Sequence, residues 1–256
     1  RQVPKDDPKN IFGWCMYDLS NTAFSALFIS LFFPAWVKVY MKGTELQFGI
    51  VMSLSMLISA FLVPFIGAMS DATNKKMVYV KIFTVICVIF TFFTPYVSLD
   101  IALLFGLLAN LAYHACLDVY DAKLVDIANK KNLGRISGYG TALGYFGTVL
   151  SVIMAWAIIH FNGSDVATIQ LMFPATAIFF ILFSIPTFIL VKDKATNAKI
   201  SIANAMKAAR KSIKGTWSQT RKHKGLVPFL IACFLYMEGI NTAIFFLYLY
   251  AEDQLK

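Results

Sequence analysis

A single carboxylate interrupts a long apolar run near the end of this chain: Glu238, within YMEGINT, Tyr236–Thr242. Counted from a helix start near Leu226, it lies about 18 Å along the axis, close to the midplane of a bilayer. An ionisable group at that depth must face protein or a water-filled cavity, and such groups mark solute and proton pathways. Asn241 follows at i+3 on the same face. A second set, Asn110, His114, Asp118 and Asp121, recurs at i, i+4, i+8 and i+11. Measured from a helix end near Lys123, Asn110 is about 20 Å deep, with His114 shallower by about 6 Å and Asp118 by about 12 Å. That is a polar stripe running from the midplane to one surface. A third set, Asp18, Asn21 and Ser25, falls at i, i+3 and i+7 in the first apolar segment, Gly13–Val39. Together these side chains could accept from an ammonium, donate amide hydrogens to a carboxylate and exchange protons. Covalent chemistry is not implied, because nothing in the sequence brings Ser25 and His114 together as a nucleophile–base pair.

Each set has a plainer reading. Glu238 could be a protonated side chain hydrogen-bonded to a neighbour. Asp118 and Asp121 could be ion-pair partners of Lys123 and Arg135. His114, Asp118 and Asp121 have metal-ligating types. No fourth ligand is specified and two of the three lie near a lysine-rich boundary, so no metal and no cofactor are expected.

Two further groups of residues read as structural or gating. In GAMSDATNKK, Gly67 permits close helix approach, and Asp71 can pair with a basic group such as Lys75 or cap a helix start. With Asp118, Asp121 and Arg135 at the same surface, Asp71 and Lys75 form a candidate gate. In GRISGYGTALGYFG, Gly140, Gly144 and Gly147 make a small-residue packing surface.

These side chains need helices that cross a membrane to hold them. The chain has 256 residues, 58% hydrophobic, with 24 Phe and a mean hydropathy of +0.66. Only 14% are charged, against about 25% in soluble domains. Apolar runs near 20 residues recur and strand alternation is absent, so the fold class is an all-α polytopic membrane protein. The net charge of +9 does not read as nucleic-acid binding, because the lysines sit in the connections. Cys15, Cys87, Cys116 and Cys233 lie in or beside helices without a CxxC spacing, which argues against a disulfide framework or zinc site. The first span serves as its own insertion signal.

In order, residues 1–10 read as a flexible lead-in. Helices follow at about 12–38, 48–69, 77–94, 101–123, 136–160, 168–191 and 226–250, with Pro34 kinking or ending the first. Residues 192–225 form a basic linker. Ile202, Met206, Ala209, Ile213 and Trp217 recur in it at helical spacing, as an amphipathic helix on an anionic inner leaflet would require, an ordinary solvated linker being the alternative. With residues 1–10 inside, all Lys and Arg except Lys38, Lys42 and Lys256 fall on the inner side. The positive-inside rule then makes the N-terminus and the linker cytoplasmic. The organisation is a six-helix bundle (1–191), the linker (192–225), and the first helix of a second bundle (226–256) whose remainder is missing. Helix 7 should contact the first bundle less extensively than helices 1–6 contact one another.

Four motifs carry a family resemblance. The Gly67–Lys76 loop resembles the signature loop of major facilitator transporters, with Gly67 and Asp71 in place and Asn74 where a second glycine is usual. WCMYDLSNTAFS (Trp14–Ser25), YDAKLVDIANKKNLGRISGYGTALGYFG (Tyr120–Gly147) and FLIACFLYMEGINTAI (Phe229–Ile244) resemble the Atg22-like vacuolar effluxer, or UMF1-type, family. Tyr17, Asp18, Asn21, Ala23, Asp126, Gly134, Arg135, Ser137, Gly138, Gly140, Gly144 and Gly239 match. Leu19-Ser20 stands where Trp-Ala is common, and Glu238 where Asp is common. The resemblance implies a secondary transporter in a bacterial inner or eukaryotic vacuolar membrane, associated with amino acid efflux. The expected substrate-binding residues are Asp18, Asn21, Ser25, Asn110, His114, Glu238 and Asn241. Proton coupling would fall to Glu238, His114 or Asp18. A non-transporting receptor or scaffold, using the basic linker to bind a partner or anionic lipid, is the alternative.

Overall fold

A computed structural model describes residues 5–193, 206–207, 210–211, 215, 220, 222–223 and 225–254. Its described residues form seven helices long and apolar enough to cross a membrane. They are α1 (Pro8–Tyr40), α2 (Glu45–Thr73), α3 (Lys76–Phe93, followed by a 3-10 turn Thr94–Tyr96), α4 (Leu99–Ile127), α5 (Leu133–Asn162), α6 (Val166–Leu190) and α7 (Leu226–Gln254). The protein is a multi-pass integral membrane protein. The expected linker, 192–225, lies largely outside the described residues.

Three of the helices, α1, α2 and α6, begin at a polar side chain that caps them. Thr44 and Gln47 form a reciprocal capping box at the start of α2, the Gln47 N–H donating to Thr44 Oγ1 at 3.2 Å and the Thr44 N–H to Gln47 Oε1 at 2.8 Å. Asp165 caps α6 by accepting from the Thr168 N–H at 2.8 Å. The expected flexible lead-in is corrected in its described part. α1 starts at Pro8, and Asp6 is tied to the α4–α5 connection. The Asp6 N–H donates to the Ile127 carbonyl at 2.8 Å, while its carboxylate accepts from the Asn129 N–H at 3.0 Å and Asn132 Nδ2 at 2.8 Å.

Pro34 does not end α1. The helix widens to a π-helix over Phe24–Phe32, tightens at Phe33–Ala35 and widens again over Trp36–Tyr40. Proline cannot donate the helical N–H, and a local change of register lets the chain continue around it.

α1 is the hub. It packs along α5 and α6, while α4 packs on α2 and α3, and α3 on α6. Lipid chains are as apolar as leucine, so association rests on close packing more than on removal from water. Aromatic rings supply much of it: Trp14 stacks on Tyr120 at 4.7 Å between centroids, and Phe28 stacks on Phe24 and on Phe33, each at 4.9 Å. Phe173 of α6 meets Phe28 edge-on at 5.8 Å. Small residues let the helices approach. A Cβ at Gly140 would overlap the Asp18 carboxylate, one at Gly147 the Leu19 carbonyl, and one at Gly144 would press on Thr22 Cγ2 at 3.2 Å. Outward, Val78, Ile82, Val85, Ile89 and Phe93 form one exposed face of α3, an apolar strip suited to lipid. α7 stands apart. It touches α1 over Phe24–Ala35, and its Phe246 meets Phe48 of α2 edge-on at 6.1 Å.

Candidate functional site

A cleft of about 670 Å³ opens between α2, α4 and α7. Four residues singled out in the sequence line it: His114, Asp118 and Asp121 from α4, and Glu238 from α7. α2 adds Ser53 and Ser59 with an apolar wall including Met52, Met56 and Val63, and α7 adds Phe234, Thr242 and Phe246.

The polar wall follows from how α2 and α4 run side by side. Asn110 is fully buried and donates from Nδ2 to Ser55 Oγ at 2.6 Å. One turn on in each helix come Ser59 and His114, and one further turn on α4 comes Asp118. Asp118 sits above Gly67, whose missing side chain leaves 3.7 Å between a built Cβ and Asp118 Oδ2. Asn110 therefore clasps two helices, whereas His114 and Asp118 open to the cleft. Ser59 Oγ and His114 Nε2 are buried atoms without a hydrogen-bond partner. Unpaired buried polar atoms are few in folded proteins, and each calls for an explanation. Asp118 and Asp121 make no salt bridge among the described residues, and Asp121 lies within electrostatic range of both Asp18 and Asp118.

The remaining expected ligands are elsewhere. Asp18 lies against Gly140 on the α5 side of α1, with Asn21 Nδ2 donating to its Oδ1 at 3.4 Å. Ser25 donates to its own helix at the Thr22 carbonyl, 3.0 Å away. Asn241 is on α7 but does not line the cleft.

At the surface beside the cleft, Lys76 Nζ pairs with Asp71 at 3.0 Å and Asp126 at 3.3 Å, and donates to the Ala122 carbonyl at 3.0 Å. Lys75 is exposed. Lys123, 1% exposed, pairs with Asp193 at 3.0 Å rather than with Asp118 or Asp121. Asp193 also accepts from the Met77 N–H at 3.0 Å, so it binds the start of α3 to the end of α4. Arg135 lines a separate recess with Asp6 and Tyr139.

Sequence reading missed Ser55, Ser59 and Asp193. The i, i+4 serines inside an apolar helix were the available signal for the first two. It also missed a buried cluster in which the Tyr17 hydroxyl lies 2.6 Å from Thr84 Oγ1 and donates to Cys116 Sγ at 3.0 Å. This cluster joins α1, α3 and α4.

A bundle of membrane-crossing helices with titratable residues around a solute-sized cleft has the build of a membrane transporter. Comparison with known proteins agrees. The family described as vacuole effluxer Atg22 like matches residues 47–256. The chain belongs to that family. It is 26% identical over 259 residues to an uncharacterized MFS-type transporter, YxiO, of Bacillus subtilis (strain 168), covering 94% of this chain and 60% of the relative. It is 25% identical over 209 residues to an uncharacterized protein of Aquifex aeolicus (strain VF5), covering 78% of this chain and 50% of that one. The chain thus spans between half and three fifths of these relatives. No solved structure matches it.

Proposed function

We propose that the protein is a secondary transporter of small polar solutes bearing an amine, with amino acids the class implied by the family resemblance, working as an effluxer by alternating access. The carrying observation is that Glu238 of α7 lines one cleft with His114, Asp118 and Asp121 of α4, from which it is remote in sequence. In this reading those six helices are one half of the transporter and α7 begins the other. Solute binds between them, and rocking of the halves exposes it to each side in turn. No P-loop appears in the sequence, which favours gradient-driven over nucleotide-driven movement.

Coupling to protons is assigned to Glu238, with His114 as a second carrier. A carboxylate placed between two halves meets a different amount of water as they rock, and linkage turns any difference in proton binding between two states into a coupling. Purified full-length protein in proteoliposomes, given a panel of labelled amines and amino acids, should show saturable flux that a pH gradient accelerates. Glu238→Gln should lose the acceleration while keeping exchange at equal pH. Wild-type acceleration in Glu238→Gln would remove Glu238 from the coupling path. Absence of flux with every solute and gradient would count against transport itself.

A further inference from the structure

We infer that the cleft between α2, α4 and α7 selects an organic cation, an ammonium on an apolar body, over the corresponding zwitterion or anion. The inference rests on the transport reading for its biological role but concerns binding alone. Among the amine-bearing solutes proposed above, it puts amines without a carboxylate in place of the zwitterionic amino acids that the resemblance implies.

The charge of the lining is one-sided. Asp118, Asp121 and Glu238 contribute carboxylates, and among the described residues no Lys or Arg lines the cleft. Lys76 and Lys123 are held in ion pairs, Lys76 with Asp71 and Asp126 and Lys123 with Asp193. A solute carboxylate entering here would face three like-charged groups without a counter-ion among the described residues, and such a desolvated charge is strongly disfavoured. A solute ammonium would meet complementary charge at each.

The hydrogen-bonding capacity has the same bias. Ser59 is 7% exposed, lines the cleft, and leaves its Oγ unpartnered. His114 leaves Nε2 unpartnered in the same lining. A neutral imidazole nitrogen and a hydroxyl oxygen can both accept, and an alkylammonium has three N–H groups to give. One such group placed against Ser59, His114 and Asp118 would satisfy both orphaned atoms.

A metal ion would need its ligands to converge. Among the described residues no three of His, Cys, Asp and Glu do so. The carboxylates are spread over two helices, as contacts to a molecule would be. The rest of the lining suits an apolar body: Met52, Met56, Leu57, Phe234 and Phe246. Aromatic faces attract cations as well as apolar groups. A volume of about 670 Å³ is within the range of small-molecule pockets, about 300–1,000 Å³.

The test uses three probes with one body: phenethylamine, phenylalanine and 3-phenylpropionate, which carry an ammonium, both charges, and a carboxylate. Binding to the full-length protein in nanodiscs is measured by titration calorimetry at pH 7. Phenethylamine should bind at least tenfold more tightly than phenylalanine, with phenylpropionate weakest. Asp118→Asn and Ser59→Ala should each weaken the amine severalfold and leave the zwitterion unchanged or improved. Ser59→Ala removes one oxygen and keeps the test open if the Asp118 variant fails to fold. Tighter binding of phenylalanine or phenylpropionate, no detectable amine binding, or an amine affinity indifferent to both variants would overturn the inference. Flux of some other solute in proteoliposomes would then leave the transport reading standing. Amine selectivity without flux of any solute would sink the transport reading and leave the cation site.

Discussion

Gly147 and Gly138 lie on one helix yet have opposite surroundings. A Cβ at Gly147 would fall on the Leu19 carbonyl of α1, which is backbone and cannot rotate away, whereas a Cβ at Gly138 meets nothing within 4 Å. Gly147→Ala should therefore lower stability by roughly 1–3 kcal/mol, the range for overpacking. Gly138→Ala should be neutral or slightly stabilising, since alanine is the better helix former. Unfolding of the detergent-solubilised protein measures both, and equal effects would mean that α1 and α5 do not meet as described. The same residues show what was legible in the sequence. Small-residue spacing marked Gly140, Gly144 and Gly147 as a surface without naming its partner. The stripe on α4 mixed two kinds of residue, because Asn110 is buried against Ser55 while His114 and Asp118 face the cleft. Periodicity within one helix cannot separate them. The position of α2 does.

Helices were legible to within about a turn, because their apolar lengths and flanking caps are local properties. α1 was less so. The spacing that puts Ser25 on the face of Asp18 assumes an α-helix, and α-helical geometry gives way to a π-helix at Phe24. The tie between α1 and the α4–α5 connection was also hidden, since Asp6 reaches Asn129 and Asn132 across more than a hundred residues. Asp6 has a positive φ of 60°, which Asn tolerates as well as Asp. Its carboxyl is held below the usual carboxylate range, first by the Asn129 N–H, then by the Asn129 side chain, with Asn132 and the charge of Arg135 adding to it against a small cost of burial. A lowered value in the folded state means stability that is present above the unfolded value, near pH 4, and lost as pH falls through the folded one. Asp6→Asn should thus be less stable than the unaltered protein at pH 7, with the gap narrowing as the pH falls below the unfolded value of about 4. A gap that stays constant from pH 7 down to acid unfolding would show that the Asp6 charge contributes nothing to the tie.

At the scale of the whole molecule, the charged residues divide by end rather than by helix. The ends bearing residues 5–9, 74–76 and 128–135 carry Lys5, Lys9, Lys75, Lys76, Lys130, Lys131 and Arg135, while the opposite ends carry Lys38 and Lys42. Lys76 is paired with acids, and Lys38 with Glu45. Orientation responds to Lys and Arg in short loops more than to net charge, so pairing with Asp or Glu does not cancel the bias. The Lys-rich ends should accordingly be cytoplasmic and the α5–α6 turn on the far side. Cys15, Cys87 and Cys116 are buried and Cys233 is exposed, so Cys233→Ser provides a quiet background. Ser164 and Lys130 are both exposed, at opposite ends. In sealed right-side-out vesicles, an impermeant maleimide should label Ser164→Cys directly and Lys130→Cys only after the membrane is opened. Labelling of Lys130→Cys in sealed vesicles, with Ser164→Cys protected, would invert the orientation and place the Asp71–Lys76–Asp126 cluster at the outer surface instead of the inner one.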